Sequence, residues 1–136
     1  MAQYFLLLKE LYLCEEIYRN DIQKNKSPTV FNALLLPLLD GFLVIKLPEI
    51  LYCEAQDNFT CLCMTDGQKH LICRKLKFYE NTFSQHGFCR VHRSFMINLE
   101  YVKRYIKGKG GMVILENGKE IPVANARKGA FLEQLQ

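Results

Sequence analysis

The sequence predicts a mostly β fold with short helices, built from hairpins and preceded by an amphipathic N-terminal helix. Three observations carry that expectation. From residue 29 onward the apolar residues are rich in Val, Ile and Leu and lack a sustained 3.6-residue repeat. These runs are punctuated by Asp40-Gly41, Asp66-Gly67 and Asn117-Gly118, dipeptides that tolerate the positive φ of tight hairpin turns at least cost. Before residue 29 the pattern is different. Tyr4, Leu7, Leu11, Cys14 and Tyr18 alternate steps of three and four, which places them on one helical stripe.

Taken in order, "YFLLLKELYLCEEIYR" (4–19) should be a helix whose stripe, widened by Phe5, Leu6, Leu8 and Leu13, needs a partner surface. That surface is its own domain or a second copy. "NDIQKNKSP" (20–28) is a polar linker ending at a Pro that disfavours helix before it. The chain therefore divides into a helix and linker, 1–28, and a β domain, 29–136. "TVFNALLLPLLDGFLVIKLPEILYCEA" should form strands around a tight turn. "FTCLCMT" and "QKHLICR" should pair across Asp66-Gly67, and "MVILE" with "KEIPV" across Asn117-Gly118. Pro122, which has no N–H to give a ladder, suits an edge. "RKLKFYENTFSQHG" puts Leu76, Tyr79 and Phe83 on one helical face and stops at Gly87. "ARKGAFLEQLQ" closes the chain as a second short helix with Phe131, Leu132 and Leu135.

At 136 residues with 49% hydrophobic content, the chain can bury a real core. Its net charge of +4 is unevenly placed. Residues 88–128 hold nine Lys/Arg (Arg90, Arg93, Lys103, Arg104, Lys107, Lys109, Lys119, Arg127, Lys128) against Glu100, Glu116 and Glu120, so this segment is strongly basic and the remainder slightly acidic. Such a field attracts polyanions. The six cysteines form no C-x-x-C pair, and Lys9 follows the first apolar run where a secretory leader would have it precede. A reducing cytoplasm with free thiols is the expected setting. The apolar stretches at 4–8 and 33–39 are far short of the roughly 20 residues of a spanning helix, so no membrane partner is expected.

Enzyme chemistry finds little support. Ser94 and His92 lie two apart, yet no G-x-S-x-G elbow or partner carboxylate accompanies them. A sharper rival is zinc. If Asp66-Gly67 closes a two-residue hairpin, Cys61, Cys63 and His70 project from one face, although C-x-C lacks the spacing of structural zinc sites. Buried core thiols are the blander reading, and neither metal nor cofactor is expected. "IKGKGG" is a mobile basic loop, without the Lys-Ser/Thr of a nucleotide-binding loop. "FCRVHRSFMINLEYVKRY" (88–105) is more informative. In an extended 88–92, Arg90 and His92 share one parity and Val91 the other, Arg93 and Ser94 fall where the strand turns, and "FMINL" anchors the corner. An Arg fork on such a rigid corner matches phosphate oxygens or guanine O6/N7.

That stretch resembles the hallmark of the LytTR family of bacterial DNA-binding domains, F-x-R-x-H-R-S followed by aliphatic residues and Asn. "LPEILYCEAQDNFTCL", "LKFYENTF" and "GGMVILENGKEIPVANARKGAFLEQL" resemble the family's other motifs in the same order, over roughly residues 30–135. The resemblance implies an elongated β fold that inserts loops into successive major grooves of double-stranded promoter DNA, usually at paired direct repeats, as a non-enzymatic transcriptional regulator. It places contacts at Asp57, Asn58 and Thr60, at His92 and Arg93 with Ser94, and around Asn125, Ala126 and Arg127. Arg93, Asn58 and Asn125 are the expected base readers. Arg90, Lys103, Arg104, Lys107, Lys109 and Lys128 are the expected phosphate partners. Two departures stand out. Ala124, Asn125 and Ala126 precede Arg127 where the family usually carries Ser and Arg residues, and residues 1–28 are too short for the receiver domain that most members carry upstream. The remaining partner expectations are a homodimer on DNA and a signalling partner through residues 4–19, the latter allied to a rival reading of the chain as a protein-interaction module with only generic DNA affinity.

Overall fold

Burial sorts the apolar residues onto the two faces of one central sheet. The computed structural model describes residues 29–30 and 32–136, so the helix expected at 4–19 lies outside the described residues. β1 (Thr29–Val30), β2 (Ala33–Leu38) and β3 (Gly41–Lys46) form a small antiparallel sheet. β4 (Ile50–Gln56), β5 (Phe59–Met64), β6 (Lys69–Ile72), β7 (Phe88–His92) and β8 (Phe95–Asn98) form the central sheet, in the order β6-β5-β4-β8-β7. α1 (Leu76–Ser84) lies between β6 and β7 in sequence. β9 (Val102–Ile106), β10 (Met112–Leu115) and β11 (Glu120–Pro122) make the third sheet, and α2 (Lys128–Leu135) closes the chain. Pro122 does sit on an edge strand, because β11 flanks β10 on one side only.

Alternating side chains give the central sheet two cores. On one face Cys53, Leu62, Ile72, Phe88 and Met96 meet Leu76, Tyr79 and Phe83 of α1 and Leu34, Leu36 and Ile45 of the first hairpin. The Tyr79, Phe83 and Phe88 rings run in series, 5.6 and 5.0 Å apart by centroids. Burying each contributes about 1.5–3 kcal/mol. On the other face Tyr52, Cys61, Cys63, Cys89, Val91 and Ile97 meet Val113, Leu115 and Ile121 of the third sheet, Val123 just after it, and Phe131 of α2. Of the three apolar residues expected to seat α2, only Phe131 is buried; Leu132 and Leu135 are exposed.

The turns differ from expectation by one residue, with large consequences. Leu38 pairs with Gly41, so the first turn is Leu39-Asp40. The Asp66-Gly67 and Asn117-Gly118 turns are both three-residue loops of one design. In each, the glycine N–H donates to the carbonyl three residues back, Met64 or Leu115. The Asx Oδ1 accepts from the N–H two residues on, Gln68 or Lys119. Both glycines sit at φ +90°, which closes the loop with an extra residue relative to the two-residue turn. The extra residue shifts the β5–β6 register, pairing Cys61 with Leu71, Leu62 with His70 and Cys63 with Lys69. A one-residue slip exchanges the faces of a strand. His70 therefore shares a face with Leu62, opposite to Cys61 and Cys63, and the rival zinc triad that a two-residue turn would have allowed does not assemble. Among the described residues no group of three His, Cys, Asp or Glu is placed to hold a metal ion.

Burial of the thiols sets an alkaline limit on stability. Desolvation pushes the Cys53 and Cys89 thiols and the Tyr52 phenol up, and the Cys63 hydrogen bond together with burial does the same to Cys61. Cys63 moves the other way, to about 7, because it accepts from Cys61 and Tyr52. A thiol whose pKa is raised by folding keeps its proton while the unfolded chain loses one, so its contribution is complete below the ordinary thiol value of 9.0 and declines above it. Cys63 opposes this only between about 7 and 9.0. Urea midpoints are expected to fall from pH 9 to pH 10.5, and Cys53→Ala should flatten that fall. A pH-independent midpoint over this window would contradict the assignment.

Candidate nucleic-acid interface

Three exposed turns and a basic loop converge at one end of the central sheet. β4 ends in the two-residue turn Asp57-Asn58, closed by the Gln56–Phe59 pair, with Asp57 at φ +54°. β7 and β8 are joined by Arg93-Ser94, closed by the His92–Phe95 pair. These turns are neighbours, because β4 pairs with β8 at Glu54–Phe95 and the Ala55 N–H donates to the Ser94 carbonyl at 2.8 Å. A 3-10 turn, Asn125–Arg127, is tied to the same end by the Ala124 N–H, which donates to the Val91 carbonyl at 2.8 Å. The loop 107–111 follows it. The Val123 N–H donates to the Gly111 carbonyl, and the Lys128 ammonium donates to the Gly108 carbonyl at 3.2 Å.

The corner at Arg93-Ser94 is held from beneath by Arg90. Its Nε donates to the His92 carbonyl at 3.1 Å, its Nη1 to Glu80 Oε1 at 2.8 Å, and its Nη2 to the Arg93 carbonyl. With 12% of its side chain exposed, Arg90 spends its fork inside the domain. This departs from the phosphate contact expected of it, and the cause is a carboxylate that the local sequence does not place there. His92 also turns inward on one side: the Ser94 N–H donates to Nδ1 at 3.1 Å, which fixes the neutral tautomer with its proton on Nε2. A bulge between Arg90 and His92 brings these groups together while Val91 stays in the opposite core.

The sequence alone does not single out Glu80. It stands on α1 one residue after Tyr79, whose full burial fixes the helix's rotation, and it faces both Arg90 and, at 3.8 Å, Arg127. One carboxylate thus links two expected contact segments far apart in sequence. The signal for it was weak, a lone acidic residue on an amphipathic helix. Asn98 is likewise structural, nearly fully buried, with its Nδ2 donating to the Ile50 carbonyl and its Oδ1 accepting from the Glu100 N–H.

The other expected residues divide between display and support. Asp57, Asn58, Arg93, Lys103, Arg104, Lys107, Lys109 and Asn125 are exposed; Arg127 and Lys128 are half-buried. Ser94, also half-buried, contributes its backbone to both neighbours of the corner. Thr60 is fully buried and its hydroxyl donates to the Arg74 carbonyl at 2.7 Å, so it braces the base of the turn from within. Lys119 lies elsewhere, with its ammonium 5.8 Å over the Tyr52 ring. Among the described residues no helix is long and apolar enough to cross a membrane.

No curated protein matches the chain. Among solved structures, it is similar to the LytTr DNA-binding domain of a protein described as a methyl-accepting/DNA response regulator from Bacillus cereus, with 22% identity and a TM-score of 0.67. The match covers 78% of this chain and 98% of that one, which establishes the fold. The family model for the LytTr DNA-binding domain matches residues 40–136. The family is one of DNA-binding domains and not of enzymes. The chain belongs to the LytTR DNA-binding domain family.

Proposed function

We propose that residues 29–136 read double-stranded promoter DNA in a sequence-specific manner, as a transcriptional regulator that lays its turns into successive major grooves at paired direct repeats. The observation that carries this reading is the gathering of Asp57-Asn58, Arg93-Ser94, Asn125–Arg127 and loop 107–111 at one end of the sheet. Arg93 offers an exposed fork for guanine O6/N7, and Asn58 and Asn125 offer the amide geometry that pairs with adenine N6/N7. Lys103, Arg104, Lys107, Lys109 and Lys128 supply phosphate neutralisation, and His92 keeps an Nε2–H donor beside the corner. Arg90, Ser94 and Thr60 act beneath the surface, by holding the turns that do the reading. If about five phosphates are engaged, log K falls with log salt at a slope near −4 to −5.

The experiment is selection of duplexes from a randomised pool at about 150 mM salt, where weak backbone contacts are screened. Enrichment of a short motif, as two same-direction copies, is expected. Binding without enrichment that fades uniformly with salt would reduce the basic end to a generic polyanion surface. On the selected duplex, Arg93→Ala should lose about 1–3 kcal/mol of discrimination against a scrambled duplex. Lys109→Ala should weaken both duplexes alike and shrink the salt slope by about 1. Equal losses from the two substitutions on both duplexes would overturn this division of roles.

A further inference from the structure

The β2–β3 hairpin is apolar on both sides. Leu34, Leu36 and Ile45 face the core, whereas Leu35 and Val44 form a cross-strand pair on the outer side, which Phe42 shares. Phe42 and Val44 are each 56% exposed, and Leu39 at the turn is 79% exposed. A groove of ≈ 480 Å³ runs over this side, lined by Ala33, Leu35, Val44 and Pro48 together with Lys46 and Glu49. Strands apolar on both faces are ordinarily covered on both faces.

We propose that the apolar stripe of residues 4–19 of the same chain covers this outer face. The chain enters the described fold beside it, since Thr29 pairs with Leu34, the neighbour of Leu35. The polar stretch 20–28 has nine residues and reaches about 30 Å when extended, enough to turn the preceding segment back over the hairpin. As a helix, the 16 residues 4–19 are about 24 Å long, close to the roughly 20 Å of the six-residue β2. Tyr4, Leu7, Leu11, Cys14 and Tyr18 supply apolar groups at each turn to meet Leu35, Phe42 and Val44. The tether favours this occupant over a second copy. A short linker holds the segment at an effective concentration on the order of millimolar, above that of a second molecule in dilute solution. A signalling partner that takes residues 4–19 must then displace them from this face, which makes the hairpin the place where such a signal is received.

The chain contains no Trp, so Val44→Trp in the full chain gives a single emission reporter within the groove. Blue-shifted emission, poorly quenched by acrylamide and independent of protein concentration, is expected. Adding Leu7→Glu and Leu11→Glu in the same chain should shift that emission to the red and raise the quenching several-fold. Solvent-like emission from Val44→Trp alone would overturn the proposal, as would blue emission that survives the two Glu substitutions. Burial that grows with concentration would assign the face to a second copy instead. Phe42→Trp repeats the readout on the neighbouring position, and far-UV circular dichroism identifies any variant whose fold is perturbed.

Discussion

Replacing Arg90 by Ala is expected to remove the share of the domain's sequence preference that Arg93 supplies while leaving its salt dependence unchanged. Arg90 makes three donor contacts that fix the Arg93-Ser94 corner, and none of them faces a ligand. Loss of hydrogen bonds to a charged group, discounted because Glu80 is 32% exposed, should lower stability by about 2–3 kcal/mol. Discrimination should fall by roughly 1–3 kcal/mol, the worth of one well-placed bidentate reader, because Arg93 no longer holds its position. Equilibrium binding to selected and scrambled duplexes across a salt series separates positioning from phosphate contact. A slope less steep by about 0.9 would mean that Arg90 reaches a phosphate after all. Arg90→Lys should fail to rescue, since an ammonium has no fork to span Glu80 and two carbonyls. Glu80→Gln, which keeps an acceptor for Nη1 but frees Arg127, should fall between wild type and Arg90→Ala in discrimination.

Phe131→Ala should be the most destabilising single change at the C-terminal end, costing about 3–5 kcal/mol. Phe131 is the one buried residue of α2 and meets Tyr105 edge-on at 5.8 Å, so no second apolar group holds the helix if the ring is lost. DNA affinity should fall with it, because α2 carries Lys128, which ties loop 107–111 to the sheet end. Leu135→Ala, at an exposed position of the same helix, should stay within about 0.5 kcal/mol of wild type. Thermal or urea unfolding of the two variants makes the comparison. Equal destabilisation would show that α2 is seated by more than one side chain.

Local pattern was enough to place much of this fold. The helical face of Leu76, Tyr79 and Phe83, the opposite parities of Val91 and Arg90, the corner at Arg93-Ser94 and the edge position of Pro122 all follow from short-range rules and recur in the structure. What escaped depends on partners distant in sequence or on a single extra loop residue. The glycine after Asp66 predicts a turn but not whether two or three residues close it, and that difference decides the face of His70. Arg90 and Thr60 have the composition of surface groups. Only the arrival of α1 and of the Arg74 carbonyl buries their polar atoms. Leu132 and Leu135 look like core on a helical wheel, yet the third sheet offers α2 a seat for one ring.

The loops at Thr65–Gly67 and Glu116–Gly118 close the opposite ends of β5 and β10 from the turns that gather at the candidate interface. Besides its own Asx and glycine hydrogen bonds, each loop has one tie to a neighbouring segment, from the Thr65 N–H to the Glu49 carbonyl and from the Glu116 N–H to the Tyr101 carbonyl, and none of these bonds reaches the Arg93-Ser94 corner. This far end is therefore a docking bay for engineering. A fluorophore, an affinity handle or a whole effector domain grafted between Asn117 and Gly118 would ride clear of the groove, and would turn the protein into an addressable carrier for whatever is fused to it.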